Sequence, residues 1–484
     1  MNLAQALRLS PLTILQNAPP KFNEFLGGRE GVALVGAGGK TTALFQLARA
    51  LSGAEKQPVI VTATTHLHID QVKLADSHRV CTKIEALENL EADLHGVILV
   101  TGPLEGDRTT GLDNYLMLRL REVCSHHAMP LLIEADGSRH RPLKAPAEHE
   151  PPIPEFVETV VVVAGLSGLG KPLMAQFVHR PEIFSRLSGL GLEDTITLEA
   201  LSRVLAHPAG GLKNIPARAH RIVLLNQADT PELQAQGKSL AEQLNYYYDE
   251  GIIASLQPRS AIENSPPTIH AVYAPVAGII LAAGEASRFG SPKQLLDYGG
   301  NPFVRNVAQT ALAAGLSPVV VVTGANAQQV EAVVKDLPVK ITRNGAWHDG
   351  QSSSIRAGLL ALAPPSQQDS SSRPLGFGGG REGVGAVLFL LADQPQVTPT
   401  VIRALMEAHT LDLSPVVAPL VAGQRANPVL FDRVTFPDLM ALSGDMGGRA
   451  IFSKYPPKYL TWHDESLLVD IDTPDDLKKF RNIG

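Results

Sequence analysis

A chain of 484 residues, 44% hydrophobic and 19% charged, is too long for one ordinary core and has the balance of an α/β protein of two or three domains. Its 42 Lys and Arg against 48 Asp and Glu leave a formal charge of −6, which excludes a general nucleic-acid or membrane-surface binder and requires any anion site to be built locally. The two cysteines, Cys81 and Cys124, lie far apart, which excludes a disulfide framework or thiolate metal centre and points to a reducing compartment.

The start of the chain lacks the charged segment and long apolar core of a secretory signal. Apolar runs such as 159–166 and 385–392 are far too short to span a bilayer, so a cytoplasmic protein with no membrane partner is expected. Residues 31–35 predict a strand, followed directly by Gly36, Ala37, Gly38, Gly39, Lys40, Thr41 and Thr42; Leu44, Leu47, Ala48 and Leu51 then recur at helical spacing. Strand, glycine-rich turn, Lys-Thr and helix is the order in which amides and a helix N-terminus hold phosphates, with Lys40 on the β/γ oxygens and Thr41 on magnesium. The loop is shorter than GxxxxGK[ST], because Leu34 stands where the first glycine would be. It resembles the GxxGKT loop of the Mur ligases and folylpolyglutamate synthases; the plainer reading is a glycine-rich helix entry with an exposed lysine.

A second buried strand at 58–61 ends in Thr62, Ala63, Thr64, Thr65 and His66, hydroxyls that either meet a ligand at the carboxyl end of a parallel sheet or cap the following turn. At 131–134 an apolar strand delivers Glu134 and Asp136, placed to hold magnesium or orient a water. His149, between two glutamates, is a metal ligand or a salt-bridged surface residue. The strand at 221–225 closes on Asn226, Gln227, Ala228 and Asp229, which resembles the guanine-reading NKxD element with its lysine lost. GAGGKTT, TATTH, IEADGSR, KAPAEHEP and HRPE together, over about 27–255, resemble the YqeC-type family of accessory proteins for selenium-dependent molybdenum hydroxylases. The resemblance implies nucleotide binding and little more; the residues themselves are read as a P-loop-like α/β domain over 27–256 that binds ATP or GTP through Gly36, Gly38, Gly39, Lys40, Thr41 and Asp136 and hydrolyses it. Residues 1–26 are expected as an N-terminal extension and the proline-rich 257–275 as a linker.

The second half opens on VAGIILAAGEASRFGSPKQLL at 276–296. Gly284 and Gly290 let backbone N–H groups approach a bulky anion, while Arg288 and Lys293 bring cationic heads, so a triphosphate cradle is predicted. Phe303, Val304, Val307, Ala308 and Ala311 make one helical face, and 318–323 is a β-branched strand. Strands near 339–342, 386–391 and 416–419 alternate with helices, giving a doubly wound, mostly parallel sheet. Near Asn344 and Trp347, Ser352, Ser353 and Ser354 open a helix, where small hydroxyls cap free N–H groups or bond a flat base. The Ser/Gly-rich 364–385 is expected as a disordered insertion. The strand 386–392 delivers Asp393, a carboxylate placed to hold Mg²⁺, and Thr398 and Pro399 start the next helix. In an extended stretch Asp470 and Asp472 share a face and reach one metal ion; Asp472 alternatively caps a helix starting at Pro474.

Leu281, Ala282, Ala283 and Gly284, then Arg288, Gly290, Pro292 and Lys293, together with 344–358, 424–431 and 444–449, resemble the Rossmann-like nucleotidyltransferases that cytidylylate or guanylylate the molybdenum cofactor, over about 275–480. Asn427 stands for that family's usual His and Ala426 for its Gly. The resemblance implies a domain over 276–484 that joins CMP from CTP to the terminal phosphate of Mo-molybdopterin, releasing pyrophosphate. It implies Arg288, Lys293 and Asp393 as the catalytic set, and Leu281, Ala282, Ala283, Gly284, Gly290 and Ser353 on the nucleotide. It further implies Asn427, Pro428, Asp445 and Arg449 on the acceptor, and magnesium or manganese on Asp393, Asp470 and Asp472. LAAG accompanies cytidylyl transfer in that family and LAGG guanylyl transfer. The rivals are guanylyl transfer to the same acceptor, a sugar-phosphate nucleotidyltransferase, and a carrier that hands finished cofactor to an apo molybdenum hydroxylase.

Overall fold

The computed structural model describes residues 1–9, 31–55, 57–88, 94–256, 267–285, 292–362, 383–471 and 476. One unit ends at Tyr273 and the main body of the other begins at Ala274. In the first, β1 (Val32–Gly36), β2 (Val59–Ala63), β3 (Ser77–Val80), β4 (Val97–Thr101), β5 (Leu131–Glu134), β6 (Thr159–Gly165), β7 (His220–Asn226), β8 (Glu250–Ser255) and β9 (Thr268–Tyr273) form one sheet. The order is β9-β8-β7-β6-β1-β5-β2-β4-β3, parallel except for β9 against β8. The central strands are continuous Val/Leu/Ile runs because helices cover both faces of a parallel sheet, and β2, β4, β5 and β6 are buried at every position.

Strand β9 falls inside the stretch expected as linker. The prolines that argued against structure, Pro267 and Pro275, lie outside it, and TIHAVY between them pairs antiparallel with β8 and buries Ala271 and Val272. Residues 1–9, expected as part of an extension, contribute the helix Leu3–Ala6, closed by a reciprocal Asn2–Gln5 capping box, with Leu3, Ala4 and Ala6 buried.

The second unit contains β10 (Val276–Ala282), β11 (Val319–Thr323), β12 (Lys340–Arg343), β13 (Ala386–Leu391), β14 (Val416–Val421), β15 (Gln424–Arg425), β16 (Val429–Asp432) and β17 (Lys458–Trp462). Their order is β12-β11-β10-β13-β16-β14-β15, with β17 on β14. The first four are parallel, as are β14 and β17, and β16 runs antiparallel between β13 and β14. The helix Phe303–Ala313 buries the stripe its spacing predicts, Phe303, Val304, Val307, Ala308 and Ala311. Pro399 opens the helix Pro399–Thr410; Thr398 precedes it in extended conformation, but its hydroxyl makes no capping bond. The Val-Leu-Phe of β16 forms a central strand, and its end residue Asp432 meets His409 at 2.8 Å with both side chains buried. Of the stretch expected as disordered, 364–382 lie outside the described residues. Gly385 already leads into β13, its N–H donating to Pro275 O at 2.8 Å.

Candidate functional site

In the first unit the registers bring Gly36 level with Val163, Gly165 with Asn226 and Ala63 with Glu134, so the loops leaving β1, β2, β5, β6 and β7 meet at one sheet edge. The turn after β1 is possible only with glycine. Gly36, Gly38 and Gly39 have φ of +95°, +84° and +113°, and a Cβ would fall 2.2 Å from Val163 O, 2.4 Å from Gly165 N and 2.5 Å from Asn226 Nδ2 respectively. Asn226 closes the loop from outside: its Nδ2 donates to Gly38 O at 2.7 Å and its Oδ1 accepts from Leu256 N at 3.0 Å. Both ends of this fully buried amide are committed to the backbone, and Gln227 Oε1 accepts from Ser167 Oγ. Asn226 of the NKxD-like element is therefore a clamp on this loop, while Asp229 keeps a buried oxygen, Oδ1, with no hydrogen-bond partner among the described residues.

Lys40 is buried, donates to Gly36 O at 2.7 Å and lies 3.3 Å from Asp136. Asp136 accepts from Gly36 N with both oxygens at 3.1 Å and meets Lys144 at 2.7 Å. Lys144 continues to Glu150 at 2.8 Å, and the Arg180 fork grips Glu150 at 2.6 and 2.9 Å. The result is an alternating ladder, Lys40, Asp136, Lys144, Glu150 and Arg180, of which the sequence reading singled out only the first two. Thr41 Oγ1 donates to Glu134 at 2.8 Å and accepts from Gln71 Nε2 at 2.9 Å. His149 is exposed, and the buried hydroxyls of Thr62, Thr64 and Thr65 have no hydrogen-bond partner among the described residues, so the threonines do not cap the turn.

Burial alone would raise the Glu150 carboxyl, but hydrogen bonds from Arg180 and Lys144 overcome it and hold the group down to about 2. A carboxyl depressed in the fold contributes stability that is fully present above its ordinary value of 4.5 and is lost as pH falls through about 2. The shift corresponds to roughly 3 kcal/mol. Urea midpoints measured from pH 6 down to pH 2.5 should show the first unit weakening below pH 4.5, and Arg180→Ala should flatten that acid limb.

In the second unit β10 and β13 end side by side, with Ala392 N donating to Leu281 O at 3.2 Å. Leu281 is half-buried, Ala282 and Ala283 are buried, and Gly284 is exposed. Gly324 has no room for a side chain, since a Cβ would lie 2.5 Å from Ala283 O and 2.8 Å from its methyl. A single 3₁₀ turn, Lys293–Leu295, returns the chain to this edge. Gln294 donates to Gly284 O at 3.3 Å, and Lys293 Nζ stands 4.0 Å from Asp393 Oδ2. Arg288, Gly290 and Asp472 lie outside the described residues. Asp470 is exposed, and Gln396, three residues beyond Asp393, donates to Val469 O at 2.8 Å beside it. Among the described residues no three His, Cys, Asp or Glu converge as a metal site.

The helix Gln351–Leu362 packs on β10 so closely that a Cβ at Gly358 would lie 2.5 Å from Ile279. At its start, buried Asn344 donates to Ser353 and Ser354 at 2.7 and 3.0 Å, and Ser353 donates to Gly350 O at 2.8 Å. The Ser353 proton is thus committed to the turn, leaving a lone pair as its means of meeting a ligand. The Gly444–Arg449 loop lies against the same helix start. Ser352 N donates to Gly444 O at 3.2 Å, and a Cβ at Gly350, itself at φ +92°, would meet Asp445 Oδ1 at 2.5 Å. Arg425 stacks over the Phe452 ring at 5.0 Å, Arg449 is exposed, Asn427 half-buried and Pro428 buried. Partial desolvation of its guanidinium, with the neighbouring Arg425 charge, lowers the Arg449 pKa from its usual value. Asp445 therefore sits at the same helix start as Ser353, while Lys293, Asp393 and Gly284 gather at the ends of β10 and β13.

The family model for the YqeC protein matches residues 32–182, and that for the MobA-like NTP transferase domain matches 278–459. The uncharacterized protein YqeC of Escherichia coli (strain K12) is 31% identical over 236 residues, 48% of this chain and 89% of the relative. Nicotine blue oxidoreductase of Paenarthrobacter nicotinovorans is 31% identical over 212 residues, 42% of this chain and 94% of the relative. The chain belongs to the YqeC family and to the MobA-like NTP transferase family. The MobA-like domain is accordingly of nucleotidyltransferase type and takes a nucleoside triphosphate as substrate. Among solved structures, Rv0371c from Mycobacterium tuberculosis H37Rv is similar at 23% identity and a TM-score of 0.35, over 43% of this chain and 98% of that one. No helix among the described residues is long and apolar enough to cross a membrane.

Proposed function

We propose that the MobA-like domain is a molybdenum cofactor cytidylyltransferase, moving CMP from CTP to the terminal phosphate of Mo-molybdopterin, and that the YqeC domain binds ATP or GTP in support of molybdenum hydroxylase maturation. The observation that carries the reading is Lys293 Nζ at 4.0 Å from Asp393 Oδ2, beside the Leu281–Gly284 turn. A phosphomonoester is already largely dianionic near pH 7, its second pKa being about 6, so no strong base is needed. The barrier is electrostatic: one anion attacks another in line. Lys293, with Arg288, meets the oxygens that leave as pyrophosphate; Asn427, Pro428, Asp445 and Arg449 orient the acceptor. Asp393, Asp470 and Asp472 are the hard oxygen donors that suit magnesium or manganese, and such an ion, when bound, neutralises charge on the phosphates.

The name of the nicotine blue relative favours a second reading, a redox reaction, while a lysine paired with a strand-end carboxylate serves phosphate charge and has no evident part in hydride transfer. Incubation of the full chain with Mo-molybdopterin, Mg²⁺ and each of the four NTPs separates them. Pyrophosphate release should be fastest with CTP. Release fastest with GTP would move the reading to guanylyl transfer. Release with none of the four would overturn the transferase reading.

A further inference from the structure

The YqeC domain contains two carboxylates that look equivalent in the string Ile133-Glu134-Ala135-Asp136-Gly137, and the fold gives them different neighbours. Asp136 faces the cations Lys40 and Lys144 and the Gly36 N–H. Glu134, 6% exposed at the end of β5, has the Thr41 hydroxyl as its hydrogen-bond donor. A hydroxyl offers one proton and two lone pairs. With its proton on Glu134 and one lone pair receiving Gln71 Nε2, Thr41 Oγ1 has its rotor fixed and one lone pair left in a set direction. Gln71 is held in turn, since its Oε1 accepts from His68 N at 2.8 Å in the capping box that starts the helix Ile69–Val72.

We propose that Thr41 Oγ1 and Glu134 form the divalent-cation corner of the phosphate loop in the YqeC domain, with Gln71 as the positioning residue that aims the Thr41 lone pair. This rests on the reading that this domain binds a nucleoside triphosphate. Magnesium takes one or two protein oxygens and completes its shell with phosphates and water, so a threonine oxygen beside a buried carboxylate is a sufficient protein share. Glu134 supplies the negative charge. Gln71 touches neither metal nor phosphate in this scheme; it acts through Thr41, as outer partners of metal ligands do.

The test titrates full-length protein with fluorescent N-methylanthraniloyl ATP and GTP in Mg²⁺ and in EDTA. The part of the binding that Lys40→Ala removes belongs to the YqeC domain, which separates it from the transferase site. For that part, the ratio of affinity with Mg²⁺ to affinity without should fall about 10-fold in Gln71→Ala and further in Glu134→Gln. A packing role for Gln71 would leave that ratio unmoved in Gln71→Ala. Lys40-sensitive binding whose Mg²⁺ ratio is the same in wild type, Gln71→Ala and Glu134→Gln overturns the inference and leaves the nucleotide reading standing. Absence of any Lys40-sensitive binding overturns the nucleotide reading itself.

Discussion

Lys293→Ala and Asp393→Ala should each lower turnover in the transferase reaction about 10²- to 10³-fold, the usual loss when a preorganised charge contact to the transition state is removed. Both side chains are partly solvated, 18% and 35% exposed, so neither substitution opens a cavity and the folded state should survive. The loss should fall in kcat. On the proposed mechanism Lys293 acts where negative charge grows on the leaving pyrophosphate, an interaction stronger in the transition state than in the bound triphosphate. Lys293→Arg should recover part of the rate, because a guanidinium restores the charge with a different reach. Single-turnover release of pyrophosphate from saturating CTP, with circular dichroism as the check on folding, is the measurement. Near-normal turnover in either alanine variant would remove that residue from the mechanism.

The sequence carried much of the fold because both sheets are mainly parallel and buried, and such strands announce themselves as β-branched runs: Val276–Ala282 and Val319–Thr323 lie where the apolar pattern places them. The tight turn after β1 was legible for a local reason, since Gly36, Gly38 and Gly39 stand where the backbone is left-handed and a side chain has no room. What escaped was set by distance along the chain. Lys144 sits among prolines, and nothing in its neighbours says that Asp136 and Arg180 will converge on it and Glu150. That meeting depends on the two-residue strands Leu143–Lys144 and Val178–His179 pairing in parallel. The β9 strand was hidden by the prolines that flank it. The separate fates of Glu134 and Asp136 follow from Gln71, 30 residues from Thr41, and from the Gly36 N–H, 100 residues from Asp136.

Lys144→Met should be the most destabilising single change in the ion-pair ladder. Its Nζ, on a side chain 1% exposed, lies 2.7 Å from Asp136, 2.8 Å from Glu150 and 2.7 Å from Gly137 O. Methionine keeps most of the packing and removes the charge, leaving two carboxylates short of their shared counterion. Asp136 retains Lys40 and the Gly36 N–H, and Glu150 retains Arg180, yet both stay in a setting that penalises an unmatched charge. Removing one partner of a buried pair costs about 3–5 kcal/mol. The exposed fork of Arg305 on Asp336, with similar distances, is the control, because solvent-facing pairs contribute about 0–1 kcal/mol. Urea is the suitable denaturant, since guanidinium screens the interaction under test. The full chain has two units and no single unfolding free energy, so the probes must separate them. Both tryptophans, Trp347 and Trp462, belong to the second unit, whereas circular dichroism reports on both. Lys144→Met should move a dichroism transition to lower urea while the tryptophan transition stays in place. A shift no larger than that of Arg305→Ala would mean that the ladder is a surface-like pair in its energetics despite its burial.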